Sequence, residues 1–185
     1  LFMLILFVPM FFAGIVMMFK NPELLRNRLN AKEKDGEQSL IVKLSGLMFV
    51  GGFVVAGLDY RYGWSSVPSG IVISGGILFL VGYLLYAEVL RDNTYLSRTI
   101  QVQENQKVID TGLYSVVRHP MYSATLILFL SIPIMLGSLY SLIIFIAYPF
   151  IIAKRIKGEE ELLEKELEGY GEYKKKVKYR LDRYL

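Results

Sequence analysis

Residues 121–153, MYSATLILFLSIPIMLGSLYSLIIFIAYPFIIA, run for 33 positions without a charged side chain. A hydrocarbon core of roughly 30 Å needs about 20 helical residues, so the stretch is too long for one crossing. Pro133 and, at its centre, Gly137-Ser138 interrupt it, which predicts a tight hairpin of two short helices, the second kinked by Pro149. Working outward, three more apolar blocks stand at 1–19, 40–58 and 67–90. The first holds no charge. It reads as a span rather than a cleaved leader, because no basic segment precedes it and no small-x-small site precedes Lys20 and Asn21. The expectation is an all-α membrane protein with five transmembrane helices, including a C-terminal helical hairpin, plus cytoplasmic C-terminal helices. Residues 1–185 then form a single integral-membrane domain, with three N-terminal spans in 1–90 and a loop, hairpin and tail in 91–185.

The connecting segments test that count, since Lys and Arg accumulate on the cytoplasmic side of a bilayer. Residues 20–43 carry six, 59–66 only Arg61, 91–120 four, the Gly137 turn none and 154–185 ten. This alternation places the N-terminus outside and the C-terminus in the cytoplasm. The net charge of +4 therefore points to an anionic leaflet rather than to nucleic acid. With no cysteine and His119 as the sole histidine, disulfides, thiolate chemistry and a histidine-built metal site have no residues to use. Gly46, Gly51, Gly52 and Gly57, then Gly70, Gly75, Gly76 and Gly82, are expected to pack the second and third spans closely. Glu88, near the end of the third span, is either a functional intramembrane carboxylate or a side chain that snorkels to the interface.

Chemistry is sought in the polar link 101–122, QVQENQKVIDTGLYSVVRHPMY. Pro120 suits the first turn of the following helix and pushes His119 to an extended cap. That helix start, with Arg118 and His119 beside it, suits a carboxylate or phosphate; the plainer alternative is that His119 caps the helix and Arg118 anchors to headgroups. A second feature is Glu159-Glu160-Glu161. Ile152, Ile156, Leu163 and Leu167 form an apolar stripe at helical spacing, and Glu159 and Glu160 fall inside it. Buried carboxylates need a cation. Arg155, one turn earlier, or the ammonium or sulfonium of a ligand could supply it; a solvated charged face is the other option. Together the two features suit a zwitterion bearing a carboxylate, an ammonium and a sulfonium. The tail 170–185 reads as a membrane-surface element, with Lys174, Lys175, Lys176, Lys178 and Arg180 toward lipid phosphates and Tyr173, Tyr179 and Tyr184 at headgroup level.

The ordered set Gln106-Lys107-Val108-Ile109, Gly112-Leu113-Tyr114, Arg118-His119-Pro120-Met121-Tyr122 and Arg155 with Glu159-Glu160 resembles the isoprenylcysteine carboxyl methyltransferase and phospholipid methyltransferase superfamily. The ending Glu166-Leu167-Glu168-Gly169-Tyr170, Tyr173 and 177–181 is similar to its prokaryotic branch, and the likeness covers about half the chain, residues 93–181. The resemblance implies S-adenosyl-L-methionine as cofactor, with S-adenosyl-L-homocysteine as product, held at the cytoplasmic edge. Gln103, Gln106, Lys107, Val108, Ile109, Tyr114, His119, Pro120, Met121, Tyr122 and Glu159 would line its site. Glu160 would stand beside it as a catalytic carboxylate, and Arg155 would face the substrate. The family often has histidine where Gln106 stands, and a proline where Asp182 follows the final Arg180-Leu181. The acceptor would be lipid-like, with carboxyl O-methylation of an isoprenylcysteine-like substrate expected and phospholipid amine N-methylation the alternative. A membrane sterol reductase using NADPH and a non-catalytic lipid-binding protein are the remaining classes, and a cofactor titration separates them.

Overall fold

The computed structural model describes residues 2–20, 22, 25–26, 36–97 and 99–181. All the regular elements among them are helical: α1 (Phe2–Lys20), α2 (Gly36–Tyr62), α3 (Ser69–Asp92), a 3-10 turn (Gly112–Ser115), α4 (Pro120–Met135), α5 (Leu139–Phe145), α6 (Ala147–Glu166) and α7 (Tyr170–Lys176). Asp182 and Tyr184 lie outside the described residues.

The central hairpin forms as its sequence dictates. Gly137 takes a positive φ of 70° between α4 and α5, and Ser138 caps α5 by accepting the Ser141 N–H at 3.1 Å. Pro149 has no N–H to give the Phe145 carbonyl, so the expected kink is a break at Ile146. The second arm is not short, however. Leu139–Glu166 is a 28-residue run that carries the apolar arm straight into the acidic tail, because nothing between Ala153 and Glu166 stops a helix.

Gly36–Tyr62, Ser69–Asp92 and Leu139–Glu166 are long and apolar enough to cross a membrane; Leu4–Lys20 and Pro120–Met135 are shorter apolar helices. At 1.5 Å per residue the 16 residues of α4 reach about 24 Å, less than a full hydrocarbon core. Phe11, Phe12 and Phe19 on α1, Leu47 and Val50 on α2, Ile73 and Leu84 on α3, and Phe150 on α6 all face outward. An apolar exterior this large is unfavourable in water and costless against lipid chains. The chain is built as an integral membrane protein.

Inside, edge-on aromatic contacts tie the helices: Phe49 to Phe129 at 4.5 Å, Phe49 to Phe145 at 5.4 Å and Phe129 to Tyr148 at 4.8 Å join α2, α4, α5 and α6. Of the span glycines, Gly52 lies under the Phe145 ring, Gly75 under the Met135 backbone and Gly82 under Leu128, whereas Gly46, Gly51, Gly57 and Gly70 have nothing within 4 Å of where a Cβ would be. The small-residue faces therefore divide into packed and open positions. Glu88 pairs with Arg91 on an exposed face, away from both clefts described below.

At the far end of α2, the buried carboxylate of Asp59 accepts Ser65 N–H and Ser65 Oγ–H, each at 2.7 Å, and the Ser138 hydroxyl. This fastens α2 to the hairpin turn about 32 Å, or 21 residues, from Gln38 at the other end.

Two substitutions distinguish the packed from the open glycines. A methyl at Gly75 would sit 2.7 Å from the Met135 amide nitrogen, so Gly75→Ala should destabilise the protein by about 1–3 kcal/mol. Gly70→Ala should be neutral or stabilising, by up to about 1 kcal/mol. Thermal unfolding in detergent micelles compares the two.

Candidate functional site

From Asn93 the chain leaves α3 and winds over the end of the bundle before returning at Pro120. Its polar side chains hold that path. Asn93 Nδ2 donates to Tyr114 Oη at 2.9 Å, Gln103 Nε2 to the Tyr95 carbonyl at 2.6 Å and Gln103 N–H to Gln106 Oε1 at 2.8 Å, around a left-handed turn at Asn105. Gly112, at φ 55°, starts the 3-10 turn that buries Tyr114, whose carbonyl accepts the Tyr173 hydroxyl at 2.7 Å. A short hydrogen bond over 59 residues of sequence thus locks α7 against the link.

Pro120 occupies the first turn of α4 and His119 is its cap, at φ −125°. The Tyr122 and Ser123 N–H groups both return to the His119 carbonyl, at 3.0 and 3.2 Å. Those two amides do not face outward as the anion-site reading of the helix start expects. Arg118 also differs from that expectation. Its Nε meets Glu160 Oε1 at 2.8 Å and its Nη1 donates to the Val177 and Lys178 carbonyls at 2.7 and 2.8 Å. The backbone completes the join, Arg118 N–H pairing with the Tyr179 carbonyl and His119 N–H with that of Arg180, both at 2.9 Å.

Glu160 is the centre of this join. Arg180 Nη2 reaches its other oxygen at 2.8 Å, His119 Nε2 stands 3.3 Å from Oε1, and Lys174 is 3.8 Å away. Protein cations therefore surround it. Glu159, one position earlier, points the other way: its Oε2 accepts the Tyr122 hydroxyl at 2.6 Å, and that hydroxyl accepts Arg155 Nε–H at 3.1 Å. The carboxylate stripe thus has two separate partners. Arg118 and Arg180 hold Glu160, while Arg155 reaches Glu159 through Tyr122.

The link, α6 and α7 border a polar cleft. Gln106, Lys107, Val108, Ile109, Tyr114, His119, Met121, Tyr122, Arg155 and Glu159 line it; Gln103, Pro120 and Glu160 do not. Gln103 instead shapes the link's turn, Pro120 starts the helix and Glu160 binds the tail. A wider, more open apolar cleft of about 430 Å³ lies between α2, α4 and α6, lined by Ile41, Phe49, Phe129 and Ile152. The two share Ser97, Met121, Tyr122 and Arg155.

Residues that the sequence did not assign to the cofactor site also line the first cleft, among them Asn93, Tyr95, Leu163, Leu167, Tyr170 and Tyr173. Tyr173 is 6% exposed and turned inward, so its assignment to the headgroup level is corrected, whereas Tyr179 is exposed. The signal was the apolar stripe itself, which continues from Leu163 and Leu167 to Tyr170 past the left-handed Gly169. Burial pushes the Tyr114, Tyr170 and Tyr173 phenols well above the usual tyrosine range, so they are neutral hydrogen-bonding groups. At the rim, the Lys176 ammonium 2.9 Å from Asp110 holds that carboxyl below its usual value.

Removing the negative centre of the join should release the tail. Glu160→Gln leaves the buried Arg118 guanidinium without its counter-ion and should cost about 3 kcal/mol of stability. Limited proteolysis beyond Val177, faster in the variant than in the parent, reads the release directly.

The comparisons with known proteins bear on this geometry. A family model described as phospholipid methyltransferase matches residues 71–170, and a search of curated proteins gave no significant match. The matched segment takes in most of α3, the polar link, the hairpin and α6, and ends on Tyr170, so it contains both clefts' shared residues. Covering more than half of the 185 residues, the match shows that the chain belongs to the phospholipid methyltransferase family.

Proposed function

We propose that this chain is an S-adenosyl-L-methionine-dependent methyltransferase of the membrane that acts on an amphipathic acceptor, with carboxyl O-methylation of an isoprenylcysteine-like molecule as its reaction. The observation that carries the reading is the overlap of a polar cleft and an apolar cleft at Ser97, Met121, Tyr122 and Arg155. An enzyme joining a polar donor to a greasy acceptor needs two chambers of opposite character meeting at one point.

The polar cleft fits the cofactor by the chemistry of its lining. The carboxylate of Glu159 suits an ammonium or hydroxyl groups, the backbone at 106–109 offers peptide donors and acceptors, and Val108, Leu163 and Leu167 suit an apolar ring face. When bound, S-adenosyl-L-methionine supplies a methyl group on a positively charged sulfur, and S-adenosyl-L-homocysteine remains after transfer. The residues contribute alignment. Tyr122 donates to Glu159 and accepts from Arg155, which fixes all three side chains across α4 and α6. Arg155, 9% exposed at the junction, would pair with an acceptor carboxylate. That carboxylate, with a reference pKa near 4, is already ionised at neutral pH, so no general base is needed.

The lipid-like acceptor would enter along the apolar cleft, its chain against Ile41, Phe49 and Phe129. Membership of the phospholipid methyltransferase family supports a phospholipid as a second acceptor class, its headgroup amine being the group methylated. Glu159, the carboxylate that faces the cleft, would then take the amine proton, in place of Glu160, whose oxygens are held by arginines. In this reading α1 and α4 also cross the bilayer, giving five spans with the N-terminus outside and the site at the cytoplasmic face.

Incubation of the purified protein in lipid nanodiscs with methyl-labelled cofactor, offered a prenylcysteine mimic or an amine phospholipid, tests the reading through the labelled product. The expected product is a base-labile methyl ester. Arg155→Ala should lower ester formation about 100-fold, the loss of one buried charge-assisted pair. Full turnover in that variant would refute the carboxylate version, and binding of NADPH without S-adenosyl-L-homocysteine would select a reductase.

A further inference from the structure

Tyr170 is 4% exposed, lines the polar cleft, and its hydroxyl has no hydrogen-bond partner among the described residues. A hydroxyl withdrawn from water and left unpaired is disfavoured in a folded protein. The chain nevertheless delivers it there with care: Gly169 turns at φ 82°, Tyr170 N–H returns to the Leu167 carbonyl at 3.2 Å, and the ring stands 5.8 Å from that of Tyr173. Phenylalanine would fill the same space without an unpaired group.

The surroundings name the ligand fragment. Val108, Leu163, Leu167 and Tyr173 give the sub-pocket aliphatic and aromatic walls. A flat heteroaromatic ring packs on such walls and presents polar atoms only at its edge, where a buried phenol can meet them. Position along α6 agrees. Leu163 and Leu167 lie 8 and 12 residues beyond Arg155, about 12 and 18 Å at 1.5 Å per residue. With the reacting atoms at Arg155, Leu163 and Leu167 wall the part of the cleft that suits an arm of the cofactor ending away from the sulfur.

We infer that the Tyr170 hydroxyl hydrogen-bonds the edge of the cofactor's purine base and so makes the cleft selective for an adenosyl group. The inference rests on the cofactor reading above. Burial and the nearby Glu159 and Glu160 carboxylates keep the phenol protonated, so it can donate to a ring nitrogen or accept from the exocyclic amine.

The test is calorimetric binding of S-adenosyl-L-homocysteine to the full chain in nanodiscs, compared with analogues in which one ring nitrogen is replaced by C–H or the 6-amine by hydrogen. Tyr170→Phe should weaken the parent ligand by about three- to tenfold, the range for one neutral hydrogen bond. One edge-modified analogue should lose the same factor on the wild type and lose nothing further on Tyr170→Phe. The ligand-free unfolding temperature should stay level or rise in the variant, since the hydroxyl has no protein partner to lose. Unchanged affinity in Tyr170→Phe, additive losses with every analogue, or a lower ligand-free unfolding temperature would each overturn the inference. Failure of the wild type itself to bind S-adenosyl-L-homocysteine is a different result: it removes the cofactor reading, and this inference with it.

Discussion

Glu160 is 3% exposed, and its two oxygens are shared between guanidinium groups from the start of α4 and from the tail. A carboxylate withdrawn from water is tolerable only with partners of this kind, and here they arrive from positions 42 residues upstream and 20 downstream. The site depends on that closure. It holds His119 against the tail backbone, stations α7 beside the link and leaves Glu159, the adjacent carboxylate, facing the cleft. Neighbouring residues on a helix point about 100° apart, and that rotation divides two chemically identical side chains between a structural and a ligand-facing position.

The bilayer imposes the second constraint. Apolar side chains on the outer surfaces of α1, α2 and α3 have lipid for solvent, so outward packing supplies little cohesion between helices. Cohesion comes instead from close backbone approach at Gly75 and Gly82, from the Phe49, Phe129 and Phe145 rings, and from the Asp59 carboxylate gathering donors at the hairpin turn. These contacts stand along the bundle and at the end remote from the cleft. The polar end is irregular, with Gln103 and Gln106 pairing within the link and the Arg118 and His119 amides paired by the tail.

Much of the architecture was legible because membrane helices write themselves in hydropathy. The uncharged run with Gly137-Ser138 at its centre marked the hairpin, and Pro149 marked its break. The stripe from Ile152 to Leu167 marked a helix continuing past Ala153, and the helix does cross from apolar to charged sequence without a stop, so the second arm is longer than the short one its apolar length suggests. In the site, helical periodicity flagged Glu159 and Glu160 as carboxylates on a buried face, but proximity in sequence pointed to Arg155 as their partner. Arg118 and Arg180 win Glu160 because a chain that folds back can bring a guanidinium closer than one turn of helix can.

The sequence by itself determined what is local: the apolar blocks, the cap at His119-Pro120, the stripe on α6, and the absence of cysteine, which closes thiolate chemistry. Each follows from spacing or from side-chain chemistry, independent of what lies opposite. Tertiary structure decided every pairing across the chain. It turned Tyr170 and Tyr173 inward, assigned Arg118 to the tail, and made two clefts meet at Tyr122 and Arg155. The physical reason is that a buried charge or hydroxyl takes its meaning from the group it faces, and contacts between residues tens of positions apart are fixed only when the helices pack.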